Sequence, residues 1–239
     1  MQFIPLLAVG ASIGRQTAVF AVESLKAIRD PTNADAVSTV GELSSLNSLE
    51  YMKKCMMADK HGRTILKNKP LVGDDVLEYS RTLPANTFGH RYAAYMDHNH
   101  FTPSGRTPVK HVADPTLAYV MTRYRQCHDF LHAATDCGRS VEEELAVKIL
   151  EWKHTGLPLG VLAVAGGWPH LNSAQRANMR VYIKWASLNA PCSVHGKHQV
   201  PMYLNVPWEE MLANDFDEVT AVSGITPLPV YLENLKAKR

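Results

Sequence analysis

The feature that most limits the fold of this chain is a pair of helical runs, Pro115 to Thr135 and Val141 to His154, joined by only five residues, Asp136-Cys137-Gly138-Arg139-Ser140. Pro115 stands just inside its helix, where a missing N–H costs nothing, and Asp114 is placed to cap the start. Gly138 is free to take the left-handed conformation that ends a helix, and Ser140 with Glu143 forms a capping box that starts the next. So short a link folds the second helix back along the first as an antiparallel pair. Residues equidistant from the bend then share a height. With Gly138 as the centre, His132 faces Glu144 and His128 faces Lys148.

That register gathers chemistry. At about 100° per residue, His132 lies about 40° from His128 and Asp129 about 100° from it, so three potential ligands occupy one quadrant of the first helix. Glu144 meets them from the second. Glu142 and Glu143 need no such explanation, because acids in a first turn are favoured by the helix dipole. Two imidazoles and two carboxylates make a mixed nitrogen and oxygen site suited to a borderline divalent ion, zinc first, with cobalt or ferrous iron as alternatives. The competing reading is a hydrogen-bonded polar seam in which Asp129 and Glu144 fix the tautomers of the two histidines. Arg125 and Lys148 are placed to neutralise an acidic head group, Arg125 ranking first for its planar fork. Each could equally be an ordinary ion-pair partner of Asp129 or Glu144. The pairs His98 and His100, and His195 and His198, fall in expected surface loops with no second cluster at a set offset. Cys127 reads as a buried, inert thiol.

Around this pair the pattern stays helical, over Pro5 to Ala27, Asn47 to Asp59, Asp74 to Arg81, Thr87 to His98 and Ser173 to Asn189. Ser193 to Leu204 is the best strand candidate. No repeat or linker interrupts the chain, so residues 1–239 read as one all-α domain, a multi-helix bundle. Apolar residues make up 46% of the sequence, ample for a core. The 25 basic and 23 acidic residues leave a net charge of +2, which argues against nucleic acid as a partner. Four cysteines without a Cys-x-x-Cys pair exclude a zinc ribbon and a disulfide-built scaffold.

No run reaches the roughly 18 to 20 apolar residues of a spanning helix. Phe3 to Val22 is broken by Arg15 and lacks a basic start, so it reads as mature structure rather than an address. Gly10, Gly14 and Ala18 line one stripe of that helix, and core packing, a homodimer seam and a membrane-surface contact all fit it. Leu157, Leu159, Val161, Leu162 and Trp168, in an uncharged stretch rich in glycine and alanine, are the candidates to line an apolar groove for a lipid. Core packing is the alternative.

His128, Asp129, His132 and Glu144, spaced as His-Asp, two residues, His, eleven residues, Glu, resemble the signature of the coenzyme Q biosynthesis protein 4 family. The similarity continues through Leu117 to Val120, Arg123 to Arg125, Lys148, Thr155 to Pro158, Trp208-Glu209 and Gly224 to Pro229, nearly the whole chain. Ser193 to Pro201 departs from the family pattern. The resemblance implies an all-α peripheral protein on the matrix face of the mitochondrial inner membrane, with a divalent metal at those four residues. It implies membership of the multiprotein ubiquinone synthesis complex, as organiser and as the enzyme that replaces the C1 carboxylate of the prenylated precursor with a hydroxyl.

Two rivals follow from the same residues. One is a lipid-binding scaffold whose metal only pins two helices together. The other is a metal-dependent phosphohydrolase, which shares the His-Asp dyad but needs a further upstream His and downstream Asp, for which only His111 and Asp215 are available.

Overall fold

The structure, a computed structural model, describes residues 6–30, 33–191 and 200–237. Among them are twelve α-helices: α1 Leu6–Arg29, α2 Ala34–Leu43, α3 Leu46–Ala58, α4 Lys60–Asn68, α5 Asp74–Arg81, α6 Phe88–His98, α7 Pro115–Thr135, α8 Val141–Thr155, α9 Pro158–Gly167, α10 Ser173–Leu188, α11 Phe216–Ser223 and α12 Leu228–Lys236. The described residues hold no strand beyond a single bridge between Thr87 and Asp215, so the all-α expectation stands. The strand expected over Ser193 to Leu204 is not found at its described end, where Tyr203–Asn205 form a 3-10 turn. Residues 200–202 are likewise not in a strand, and residues 193–199, with His195 and His198, lie outside the described residues, as does the packing around Gly10 and Gly14.

Local chemistry sets the two helices that matter. The Asp114 carboxylate accepts from the N–H groups of Thr116 and Leu117, both at 2.8 Å, and Pro115 opens α7. Ser140 Oγ accepts from the Glu143 N–H at 3.3 Å and donates to the Glu143 carboxylate at 2.6 Å, which replaces the expected return bond to its own backbone. The end of α7 differs from expectation. Asp136, not Gly138, takes the left-handed conformation, with φ of 53°, a region that Asp tolerates better than most residues. A side chain at Gly138 would start 3.1 Å from Glu143 Oε2, so that glycine makes room for the cap.

Most of the buried apolar side chains among the described residues form one hydrophobic cluster with α7 through it. Phe88 of α6 packs against Phe130 and Trp208 at ring-centroid distances of 5.8 and 5.3 Å. Arg123, fully buried on α7, pins the C-terminal segment by donating to the carbonyls of Leu204 and Val206 and to Glu209, each at 2.7 Å. Five contacts matched by charge or amide geometry fasten residues 106–111 over α7 from the other side. Arg106 donates to Asp129, the Lys110 and His111 N–H groups donate to Glu42, Arg125 donates to the Thr107 carbonyl and the Thr107 hydroxyl donates to Asp35. Glu42 also takes Arg125 at 2.7 Å, so α2, the strap and α7 share one buried carboxylate. On the opposite flank α9 lies close to α8. A Cβ on Gly160 would sit 2.8 Å from the Lys148 carbonyl and 2.7 Å from Trp152 Cβ.

Candidate metal centre

Three of the expected ligands converge. One ligand atom each from His128, His132 and Glu144 falls within 4.8 Å of the others, the one such cluster among the described residues. His132 Nε2 lies 3.2 Å from Glu144 Oε2 and His128 Nε2 lies 3.5 Å from Glu144 Oε1. Lys148 Nζ lies 3.3 Å from His128 Nδ1. The mirror pairs about the bend therefore meet in the order the spacing sets.

His132 is fully buried, and its Nδ1 stands 2.9 Å from the Cys137 carbonyl. A carbonyl only accepts, so Nδ1 carries the proton and Nε2 keeps its lone pair. That Nε2 is buried and has no hydrogen-bond partner, since with the proton on Nδ1 both it and the facing Glu144 oxygen are acceptors. Tyr95 stacks on the ring with centroids 4.7 Å apart. A buried imidazole nitrogen with an unused lone pair facing a carboxylate is costly in an empty site and satisfied by a cation. The residues therefore fit a divalent ion.

Asp129, the expected fourth ligand, is not drawn into the cluster. About 100° from His128 on the helix, it points to the strap, where Arg106 Nε donates to Oδ2 at 3.0 Å and Nη2 forms a second, shorter bond. Its Oδ1 is buried without a partner. Arg125, expected to pair with Asp129 or Glu144 if it did not serve a head group, pairs instead with Glu42.

Glu151, three residues beyond Lys148 on α8, is the residue that sequence reasoning missed. It is 1% exposed, and its carboxylate takes the Tyr124 hydroxyl and Lys148 Nζ on Oε2, both at 2.9 Å, with His128 Nδ1 2.8 Å from Oε1. The signal was present as Glu144, Lys148 and Glu151 at helical spacing, one face of α8. Burial works to raise the Glu151 carboxyl, but Lys148 and His128 outweigh it and hold it down to about 2. Glu144 is likewise held well below the usual carboxylate range, burial being overcome by His128, His132 and Lys148. Burial, aided by Lys148, lowers His128, which favours the neutral ring.

Beside the cluster is a cavity of about 110 Å³ lined by Val37, Ser38, Gly41, Met121, Tyr124, Arg125, His128, Lys148, Leu157 and Leu159. The groove candidates divide here. Leu157 and Leu159 line the cavity, whereas Val161 and Leu162 on α9 and Trp168 at its C-cap are 47%, 48% and 38% exposed. Cys127 is buried, and burial pushes its thiol up to about 12. His111 and Asp215 do not join the cluster. The first gives its N–H to Glu42, and the second caps α11 and accepts from Asn86.

An all-α chain with a His, His and Glu cluster, His132 buried and His128 facing a small, partly apolar cavity, defines a helical protein built around a candidate divalent site. Comparison with known proteins gives the family. Residues 8–229 match the family model described as Coenzyme Q (ubiquinone) biosynthesis protein Coq4, and the chain belongs to that family. It is 71% identical over 182 residues, 76% of this chain and 97% of the other, to the mitochondrial ubiquinone biosynthesis protein COQ4 homolog of Leishmania infantum. It is 52% identical over 219 residues, 92% of this chain and 87% of the other, to COQ4 homolog 2 of Trypanosoma cruzi, also named mitochondrial. A crystal structure of a ubiquinone biosynthesis candidate from Nostoc punctiforme shares the fold, with a TM-score of 0.64 over 87% of this chain and 97% of that one at 15% identity.

Proposed function

We propose that this chain acts in mitochondrial ubiquinone biosynthesis as a metal-dependent oxidative decarboxylase of the prenylated ring precursor. The observation that carries the reading is the cavity that places His128 of the triad, the Lys148 ammonium and the apolar Leu157 and Leu159 around one space. Cavities of roughly this size accept a single aromatic ring. A divalent ion, with zinc the first candidate and cobalt or ferrous iron the others, would be held by His128, His132 and Glu144 and would supply Lewis-acid polarisation of a bound oxygen.

The overall change removes the C1 carboxylate as carbon dioxide and leaves a hydroxyl in its place. It is a two-electron oxidation and needs an external oxidant; with dioxygen it balances as carboxylic acid, water and dioxygen giving the ring hydroxyl, carbon dioxide and hydrogen peroxide. The chain's own residues bind and orient. Lys148 presents a cation to the anionic ring carboxylate, and Tyr124, Met121 and Leu157 shape the wall against which the ring lies. Arg125 also lines the cavity, with its donors directed to Glu42, Ser38 and Thr107 as Lys148 Nζ is directed to Glu151, so either cation can meet the carboxylate only by giving up part of an existing contact.

No helix among the described residues is long and apolar enough to cross a membrane. The uncharged α9, with Val161 and Leu162 exposed and Trp168 exposed at its C-cap, supports contact with a membrane surface, which we take to be the matrix side of the inner membrane, with the prenyl tail leaving along this helix. A place in the multiprotein ubiquinone synthesis complex, as organiser as well as enzyme, belongs to the same reading.

The test is metal analysis of freshly purified protein together with His132→Ala and Glu144→Ala. Both variants should stay folded, lose the ion and accumulate carboxylated precursor. Full turnover by metal-free protein would overturn the proposal. An ion that resists removal and whose ligand field ignores added precursor would instead favour a scaffold that carries lipid without transforming it.

A further inference from the structure

Both triad imidazoles must offer Nε2 with its lone pair free if they are to hold an ion, and this requires the proton on Nδ1 in each. For His132 the Cys137 carbonyl settles the matter, because it can only accept. For His128 two groups compete at Nδ1. Lys148 Nζ, 3.3 Å away, can only donate, and if it donated there the ring proton would move to Nε2, aimed at Glu144, which would close the site. Glu151 Oε1, 2.8 Å away, accepts, and selects the opposite tautomer.

The geometry points to Glu151 as the positioning residue that fixes His128 in the Nδ1–H tautomer and so keeps its Nε2 open toward His132 and Glu144. This inference rests on the metal reading above and adds to it a residue outside the family signature. Three features support it. Glu151 makes the shorter of the two contacts. It also draws Lys148 to its other oxygen at 2.9 Å, so the competing donor is occupied by the same carboxylate. Tyr124 donates to that oxygen at 2.9 Å from α7 and fixes the carboxylate plane. Glu151 is 1% exposed, so these contacts are made out of reach of bulk solvent. Outer-shell carboxylates that orient a ligating histidine in this manner typically govern affinity by 10- to 100-fold.

Nitrogen NMR of the imidazoles in metal-free protein reads the tautomer directly, and competition with a chromophoric chelator gives the zinc affinity. Wild-type protein should show His128 with the proton on Nδ1. In Glu151→Gln the side-chain amide can turn its NH₂ to the ring, so the proton should move to Nε2 and zinc affinity should fall roughly 10- to 100-fold. Because Glu151→Gln leaves Lys148 without its counter-ion, Glu151→Gln/Lys148→Met serves as a second variant with that charge removed, and it too should bind zinc weakly. In a His128→Ala background Glu151→Gln should cost no further affinity, which a merely structural role would not produce. A wild-type His128 protonated on Nε2, or equal zinc affinity in wild type and both Glu151 variants, overturns the inference. Failure of wild-type protein to bind zinc at all, with His128 still protonated on Nδ1, overturns the metal reading instead, since the tautomer is measured without metal.

Discussion

Replacing Arg106 with methionine should expose how Asp129 is held. The Asp129 side chain is 5% exposed and that of Arg106 30%. Both bonds to the guanidinium fall on Oδ2, and Oδ1 is buried without a partner. Arg106→Met therefore strands a buried carboxylate with nothing to fall back on. Removing one member of a buried pair costs about 3 to 5 kcal/mol. Because Arg106 is nearly one-third exposed, water can enter where it stood, and the expected loss drops to about 2 to 3 kcal/mol. For a chain of this size that lowers the melting temperature by roughly 5 to 10 °C. Urea denaturation of wild type, Arg106→Met, Asp129→Asn and the double variant completes a thermodynamic cycle. The double variant should recover at least half of the Arg106→Met loss, a coupling of about 1.5 kcal/mol or more. Strictly additive losses would refute the claim that Asp129 is held by the strap.

Stability should also respond to the buried His154. It sits fully buried, with Nε2 donating to the Asn189 carbonyl at 2.8 Å and Nδ1 accepting from the Tyr203 N–H at 3.3 Å, an arrangement only the neutral ring can make. Burial lowers its pKa from 6.5 to about 4. The unfolded chain therefore binds the proton first, and stability present above pH 6.5 should decline as pH falls through the window down to 4. The size is of order 3 kcal/mol, read as a shift in urea midpoint, and a flat profile across that window would contradict the assignment. Gly160→Ala should force α9 away from α8, because the new methyl would meet the Lys148 carbonyl at 2.8 Å. A loss of about 1 to 3 kcal/mol is expected, measured by thermal melting, whereas an unchanged midpoint would mean the two helices part without cost.

Much of the site was legible because its parts follow from helix arithmetic and capping. Asp114 and Pro115 fix where α7 starts, Ser140 fixes where α8 starts, and a link of five residues leaves little freedom in between. His132 opposite Glu144 follows from that alone. Asp129 escaped because an angular position on a helix says which way a residue leans but not which partner waits there. That partner, Arg106, lies in a proline-flanked loop with no periodic pattern. Glu151 escaped for the opposite reason: its spacing from Lys148 is that of an ordinary surface ion pair, and only burial distinguishes it. Among the helices, α4 and α9 were hidden by what surrounds them. Asp59 both ends α3 and caps α4; the run read from Asn47 ends at Asp59, and α4, with its helical face broken by Gly62, is not marked beyond it. In α9 the glycines at 160, 166 and 167 suggest loop, although Gly160 is there to let two helix backbones approach.

The bend between α7 and α8 is more than a connector. The carbonyl that orients the His132 ring belongs to Cys137, and the chain is turned toward that position by the left-handed backbone of Asp136 just before it. A change such as Asp136→Val, poorly tolerated at positive φ, would touch no side chain of the triad yet would turn the imidazole through the main chain. The hinge of the hairpin thus steers the ring as a rudder does, and drift at the bend would be felt first at His132 Nε2.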